Sequence, residues 1–239
     1  MAIRYHPLRF LRQSTEERES RNEYLARSLG CLVDAHVLPG ARRALDIGCQ
    51  TGLVTDRLAR NTGLEWCGID PVVPARGVSP LGVPLFQGWA HEIPFPDRYF
   101  DCVSLVSVYE HIEPAFREAS LAEIRRVLSV GGTMVGQLPN PYFPVEPHSR
   151  LPFMGWLPLE MQKAYWRLAP ATWDHSFFVV TMRGLRQSAE RHGFQTVVAT
   201  RFNYPGSAVP RSVRWLAAAL QLPMRIFPWS WQFVFRKEQ

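Results

Sequence analysis

The first readable pattern is Ser14-Thr15-Glu16-Glu17, a capping box in which a hydroxyl and a carboxylate three residues on exchange bonds with the backbone. Tyr24, Leu25, Leu29, Leu32 and Val33 follow on one side and predict a helix to about His36, broken by Pro39-Gly40. Short apolar runs then alternate with helical stretches. Residues 44–48 and 64–70 predict two strands, with a helix over 53–60 between them. Residues 84–89 predict a third strand. The nearly continuous run 100–108 predicts a fourth, of the kind buried on both faces of a parallel sheet. Phe116, Ala119, Leu121, Ile124, Val127 and Leu128 predict a helix over 115–128 that Gly131-Gly132 ends, and 133–138 predicts a fifth strand. Residues 71–82 hold three prolines and two glycines, which argues against a regular helix there.

After residue 138 the rhythm fails. Residues 139–175 are rich in Pro, Trp and Phe, with one helix predicted over 159–168. Regular alternation resumes with a helix over 182–192, closed by Gly193, and a strand over 195–202. A second irregular stretch, 203–228, holds an amphipathic turn or two around 211–220, before a last strand over 231–235. Strand and helix alternating through the first half predict an α/β, doubly wound, mostly parallel sheet with helices on both faces. A long return between the last two strands can place an antiparallel strand inside it.

Composition narrows the class. With 46% hydrophobic and 20% charged residues in 239, the chain is an ordinary globular one, not a disordered one. No apolar run approaches the ~18 residues of a membrane-spanning helix, and the first ten residues carry charges where a signal peptide has an apolar centre. A cytoplasmic protein is the expectation. Cys31, Cys49, Cys67 and Cys102 are widely spaced with no C-x-x-C pair, which favours reduced thiols over zinc or disulfides.

Charge is uneven. Residues 201–239 carry Arg201, Arg211, Arg214, Arg225, Arg236 and Lys237 against Glu238 alone, a net +5 of the chain's +6. A nucleic-acid binder usually spreads basic surface over its binding face, so no nucleic-acid partner is expected. The segment 211–231 combines Arg211, Arg214 and Arg225 with Trp215, Leu216, Leu220, Ile226, Phe227 and Trp229. That pattern suits peripheral contact with an anionic membrane, or equally an outer helix packed against the sheet.

The candidate chemistry centres on Asp46-Ile47-Gly48-Cys49-Gln50-Thr51-Gly52, between the first strand and the first helix of the alternation. A glycine-rich turn lets backbone approach a ligand closely, and the helix start offers free N–H groups. The spacing is not that of a dinucleotide fingerprint, and an acid at 46 would repel a pyrophosphate but suit a positively charged ligand. Asp70 ends the second strand, 22 residues after Gly48, where an acid can take both hydroxyls of a ribose. Together these select S-adenosylmethionine over a nicotinamide cofactor.

In these motifs the chain resembles the class I S-adenosylmethionine-dependent methyltransferases, of the broad small-molecule group often called type 11. Asp46 to Gly52 resembles that family's first motif and Trp66-Cys67-Gly68-Ile69-Asp70 its second. The run from Gln87-Gly88-Trp89-Ala90 to Phe100-Asp101 resembles the third and fourth, and Glu110-His111-Ile112 and Arg126 to Gly132 follow in the expected order. The likeness covers about residues 40 to 140. It implies a Rossmann-like sheet of seven strands, the last antiparallel. It also implies a cofactor site of Asp46, Gly48, Cys49, Gln50 and Gly52 in the turn, Asp70 and Pro71 after the second strand, Trp89 and Ala90 at the adenine, and Val106. We divide a single domain, 1–239, into an N-terminal helical extension (1–38), a cofactor-binding half (39–138), an inserted lid (139–178) and a C-terminal helix and strands (179–239).

Two positions depart from the family pattern. Trp89 stands where an acid usually accepts from the adenine amine, so stacking and the backbone near Ala90 must hold the base. The proline-rich 71–82 replaces a usual helix. Asn140-Pro141-Tyr142 looks like a nucleobase-methylation signature but follows the fifth strand rather than the fourth, so it reads as a loop start.

Methyl transfer to a hydroxyl needs a base, and histidine suits that at neutral pH. His111 follows the fourth strand, at the sheet edge where ligands bind, and His148 sits in the insertion over the same edge. His175 comes third, and His6, His36, His91 and His192 look peripheral. Tyr109 replaces the extra acid a metal cluster would need before Glu110, so no metal is expected. The aromatic insertion suggests a lid on an apolar or sugar-like acceptor. The expected function is methyl transfer to a small molecule, a hydroxyl of a sugar, lipid or related metabolite. The competing reading is a binding protein that keeps the fold without the activity.

Overall fold

The computed structural model describes residues 14–146, 149, 151–168, 177–204 and 228–239. Helix α1 runs Thr15–His36, and its start is the capping box that the sequence announces. Ser14 Oγ accepts from the Glu17 N–H at 3.1 Å, and the Glu17 carboxylate accepts from the Ser14 N–H at 2.8 Å. The chain then builds β1 (Arg43–Ile47), α2 (Leu53–Asn61), β2 (Glu65–Asp70), β3 (Arg76–Val78), β4 (Pro84–Gln87) and β5 (Phe100–Val106). It continues through α3 (Arg117–Val127), β6 (Leu128–Pro139), α4 (Leu159–Trp166), α5 (Met182–Arg191), β7 (Phe194–Phe202) and β8 (Ser230–Lys237).

These strands form one sheet in the order β3-β4-β2-β1-β5-β6-β8-β7. Among the described residues it has eight strands, not seven. Strands β4, β2, β1, β5 and β6 run parallel to one another, while β8 slots antiparallel between β6 and β7. The long return thus places the last strand inside the sheet, as its position in the sequence suggests. The additional strand is β3, antiparallel to β4 at the edge. Its cause lies in the prolines of 71–82, which deny a helix and let the chain double back. Ser79 N–H donates to the Val83 carbonyl at 2.9 Å and closes that reversal.

Alternation along each strand assigns residues to two apolar layers. Leu45, Ile47, Val103, Leu105, Phe233 and Phe235 enter one layer, with Leu121 and Ile124 of α3 and Leu185 of α5. Ala44, Cys102, Val135 and Val234 enter the other, where Leu25, Leu29 and Val33 of α1 and Leu58 of α2 cover them. Helix α1 is therefore part of the domain's second layer rather than an appendage.

One boundary moves. Gly131-Gly132 does not end α3; the helix stops at Val127 and β6 starts at the next residue. Pairing with β5 jumps from Phe100↔Leu128 to Cys102↔Thr133, and the residues between bulge out with Gly131 at φ 74°.

The described part of the insertion packs on itself. Leu151, Met154, Trp166 and Phe177 form a small cluster with Tyr165, and a bridge pairs Val145 with Pro152. The Phe178 N–H donates to the Glu110 carbonyl at 2.7 Å and ties the end of the insertion to the segment after β5. Among the described residues no helix is long and apolar enough to cross a membrane.

At Gly136, in the middle of β6, a Cβ would collide with the Leu105 carbonyl oxygen and the Phe233 ring. Gly136→Ala is expected to lower unfolding free energy by about 1–3 kcal/mol, read from the urea midpoint.

Candidate active site

The turn after β1 is pinned to β2. The N–H groups of Gly48 and Cys49 both donate to the Ile69 carbonyl, at 2.8 and 3.1 Å. Gly48 has φ 74°, and a Cβ on it would collide with the Val108 side chain, so only glycine lets the turn pass there. Gly52, also left-handed at φ 77°, caps α2.

Asp46 is the most enclosed acid of this turn, 3% exposed. Its two carboxylate oxygens accept from Thr55 Oγ1 and Ser104 Oγ, both at 2.6 Å. Burial pushes its carboxyl up to about 6, against the pull of the two hydroxyls, and the neighbouring Asp70 adds to the rise. Asp70 is held open toward the cleft by backbone donors, Gln50 N–H at 2.9 Å and Val72 N–H at 3.0 Å. Each oxygen keeps a further lone pair for a ligand. Burial raises the Cys49 thiol, so this sulfur is a neutral wall rather than a nucleophile.

Over the carboxyl ends of the central strands lies a cleft of about 880 Å³. It gathers Asp46, Gly48, Cys49 and Gln50 from the turn, Asp70 and Pro71 after β2, Trp89 and Ala90 after β4, and Val106 of β5. Gly52 is not in its wall; it supports the turn from behind, next to Ser79 and Leu85. Trp89 is 44% exposed, its ring available to a flat ligand. The volume falls in the range of small-molecule sites.

His111 also lines the cleft, on the short 3-10 turn Tyr109–His111, with its N–H donating to the Val108 carbonyl at 2.8 Å. His148 and His175 lie outside the described residues, as do Arg211, Arg214, Trp215, Leu216, Leu220 and Arg225. His91 is not peripheral. It lines the cleft and stacks on Phe116, with ring centroids 4.4 Å apart. Among the described residues no His, Cys, Asp or Glu side chains group to hold a metal ion.

Several lining residues went unread in the sequence. Arg18, Arg21, Asn22 and Leu25 of α1 face the cleft, at spacings of three and four that place them on one side of a helix. The same cleft is lined by Gln137 near the end of β6, Tyr204 after β7 and Trp229 before β8, with the Arg21 guanidinium over the Tyr204 ring. Gln137 donates to Ser230 Oγ at 2.9 Å and Tyr204 Oη at 3.3 Å, and its carbonyl accepts from Ser107 Oγ at 3.0 Å. Trp229, in a segment that the sequence leaves between membrane contact and packing against the sheet, packs on Phe143 and Tyr204, with centroids 4.8 and 6.1 Å away.

Comparison with known proteins agrees with this geometry. The model of the methyltransferase domain family matches residues 45–136. An uncharacterised methyltransferase of Mycobacterium tuberculosis is 34% identical over 102 residues, which are 41% of this chain and 40% of that protein. A fatty-acid O-methyltransferase of Mycolicibacterium smegmatis is 35% identical over 97 residues, 38% of this chain and 35% of that protein. These matches thus span only about two fifths of the length of such relatives. A solved S-adenosylmethionine-dependent methyltransferase from Archaeoglobus fulgidus shares the fold, with a TM-score of 0.55 at 19% identity, over 93% of this chain and 97% of that one.

Residues 45–136 thus match the methyltransferase domain family, and the chain shares its fold with a solved S-adenosylmethionine-dependent methyltransferase.

The raised carboxyl of Asp46 gives a pH test. Unfolded, it releases its proton near 3.8; folded, near 6. Between those values the folded state holds more proton, so ionisation of this buried group lowers stability as pH rises, by roughly 3 kcal/mol across the window. Asp46→Asn should lose that slope. Urea titrations from pH 4 to 7 check it, and parallel slopes in the two proteins would contradict it.

Proposed function

We propose that the protein transfers the methyl group of S-adenosylmethionine to a small-molecule acceptor, at a hydroxyl of a sugar, lipid or related metabolite. The observation that carries this reading is one cleft lined by both the Asp46–Asp70 turn region and His111. A catalytic function fits this wall better than a bare binding role, because a titratable side chain lies beside the cofactor end. The likeness to a fatty-acid O-methyltransferase supports an oxygen acceptor and a lipid-like one.

When bound, S-adenosylmethionine supplies a methyl group on a sulfonium, open to in-line attack by a nucleophile. The chain's own residues then have three tasks. Asp70 holds the ribose hydroxyls with the lone pairs its backbone donors leave free. The Trp89 ring and the backbone at Ala90 take the adenine face and edge, since no carboxylate stands at 89. The backbone from Gly48 to Gln50 flanks the amino-acid end, while Asp46, clamped by Thr55 and Ser104, keeps that turn in shape and biases it toward positive charge. His111 would take the acceptor hydroxyl's proton on an imidazole nitrogen, while the transferred methyl would leave its sulfonium sulfur behind as a neutral thioether. Most of the rate gain comes from holding the two reactants in line, and proton removal adds to it.

Calorimetry with S-adenosylmethionine and its demethylated product, S-adenosylhomocysteine, tests the cofactor half. Asp70→Ala is expected to weaken both by about 1.5–3 kcal/mol, the worth of charge-assisted bonds to two hydroxyls. Absence of any binding to the unaltered protein would sink the reading. For catalysis, His111→Ala should cut turnover on a hydroxylated acceptor by ~10²–10⁴ while cofactor affinity stays within about twofold. Unchanged turnover would remove His111 as the base.

A further inference from the structure

The cleft is electrostatically divided. At one end Asp46 and Asp70 stand on β1 and β2. At the other end Arg18 and Arg21 of α1 reach in beside Gln137 and Tyr204. Gln137, on β6, lies three strand positions from Asp70, on β2. That is roughly 14 Å at about 4.8 Å per strand. The basic end is therefore well separated from the ribose end.

These two arginines have no ion pair among the described residues. The Arg21 guanidinium lies over the Tyr204 ring, 5.6 Å from its centroid, and its Nε is shut off from water with no hydrogen-bond partner among the described residues. Neither guanidinium is neutralised by a carboxylate among the described residues, and a guanidinium at a cleft wall suits a planar oxyanion. Two carboxylates of the same helix are committed elsewhere. Glu17 accepts from the Ser14 N–H in the capping box, and Glu23 pairs with Arg27 at 2.7 Å and Arg57 at 3.3 Å. The remaining surroundings at this end, Leu25, Tyr204 and Trp229, are largely apolar or aromatic.

We propose that the acceptor carries an oxyanion on an apolar body, a carboxylate or a phosphate monoester, and that Arg18 and Arg21 hold it at the Gln137–Tyr204 end of the cleft. This rests on the methyltransferase reading and deepens it by naming the acceptor's class. Arg21, already set against Tyr204, offers its planar fork with little further ordering, and Arg18, one turn earlier and exposed, closes over the same group. The anion orients the acceptor and is distinct from the atom that His111 would deprotonate.

The test is equilibrium binding of octanoate, octyl phosphate and octanol, followed by tryptophan emission, with and without saturating S-adenosylhomocysteine. At least one anion should bind ten-fold or more tighter than octanol, and its affinity should fall with added salt. Which anion binds tighter identifies the headgroup. Arg21→Gln and Arg18→Gln should each weaken the anion ten-fold or more and leave octanol and S-adenosylhomocysteine within about twofold. Arg21→Lys, which keeps the charge and most of the stem, should retain part of the affinity and serves if Arg21→Gln does not fold. Octanol binding as tightly as the anions, no binding of any of the three, or anion affinity unmoved by both glutamine variants would overturn the proposal. Binding of the anion without binding of S-adenosylhomocysteine would instead overturn the methyltransferase reading and leave the anion site standing.

Discussion

Asp46 sits in the sheet opposite Ser104 in the parallel register of β1 and β5, and under Thr55 in the first turn of α2. Both hydroxyls donate to its carboxylate at 2.6 Å, and all three residues are nearly or wholly removed from water. Three elements are thereby joined through one ionisable group. The turn between β1 and α2 has its course set by this clamp from below and by the Ile69 carbonyl from the side, which accepts from Gly48 and Cys49. Asp70 owes its position to the same turn, because Gln50 supplies one of its two backbone donors. The shape of the Asp46–Asp70 end of the cleft therefore depends on a burial that is unfavourable for the acid taken alone. Strain of that kind persists where the surrounding packing over-determines the site.

The other end of the cleft is built differently. It depends on β8 being placed between β6 and β7, which brings Ser230 and Trp229 beside Gln137 and Tyr204. Helix α1 completes the wall because Leu25, Leu29 and Val33 are needed to cover one face of the sheet. Covering that face turns the neighbouring side of the helix, with Arg18, Arg21 and Asn22, toward the cleft. Packing and site thus share a single helix, with its apolar positions serving one and its polar positions the other. The two ends carry opposite charge, so a cationic donor and an anionic acceptor would be sorted before any contact between them.

The family motifs, the strand and helix alternation and the cofactor-side residues were legible because each is a local signal. Period-2 and period-3.6 patterns report which face is buried, and a glycine turn with an acid on either side reports its chemistry within a few residues. The resemblance then placed Asp46, Gly48, Cys49, Gln50, Asp70, Pro71, Trp89, Ala90 and Val106, the position after the fourth strand pointed to His111, and all of them line the cleft. Gly52 belongs to the same motif but acts behind the wall. Its close neighbours, Ser79 and Leu85, come from a segment about 30 residues away that the local pattern does not reveal.

By itself the sequence determined the element order, the α/β class, the glycine turn after the first strand and the refusal of 71–82 to form a helix. Tertiary structure alone decided that 76–78 would become an eighth strand, that the bulge at Gly131 would belong to β6, and that Trp229 would face inward. It also decided that Arg18 and Arg21, more than a hundred residues from Gln137 in the chain, would share a wall with it. The reason is physical. Local sequence reports which side of an element shuns water, but which partner covers that side is a contest among distant surfaces. Only the assembled sheet, with its antiparallel insertion, settles where the uncovered polar residues end up.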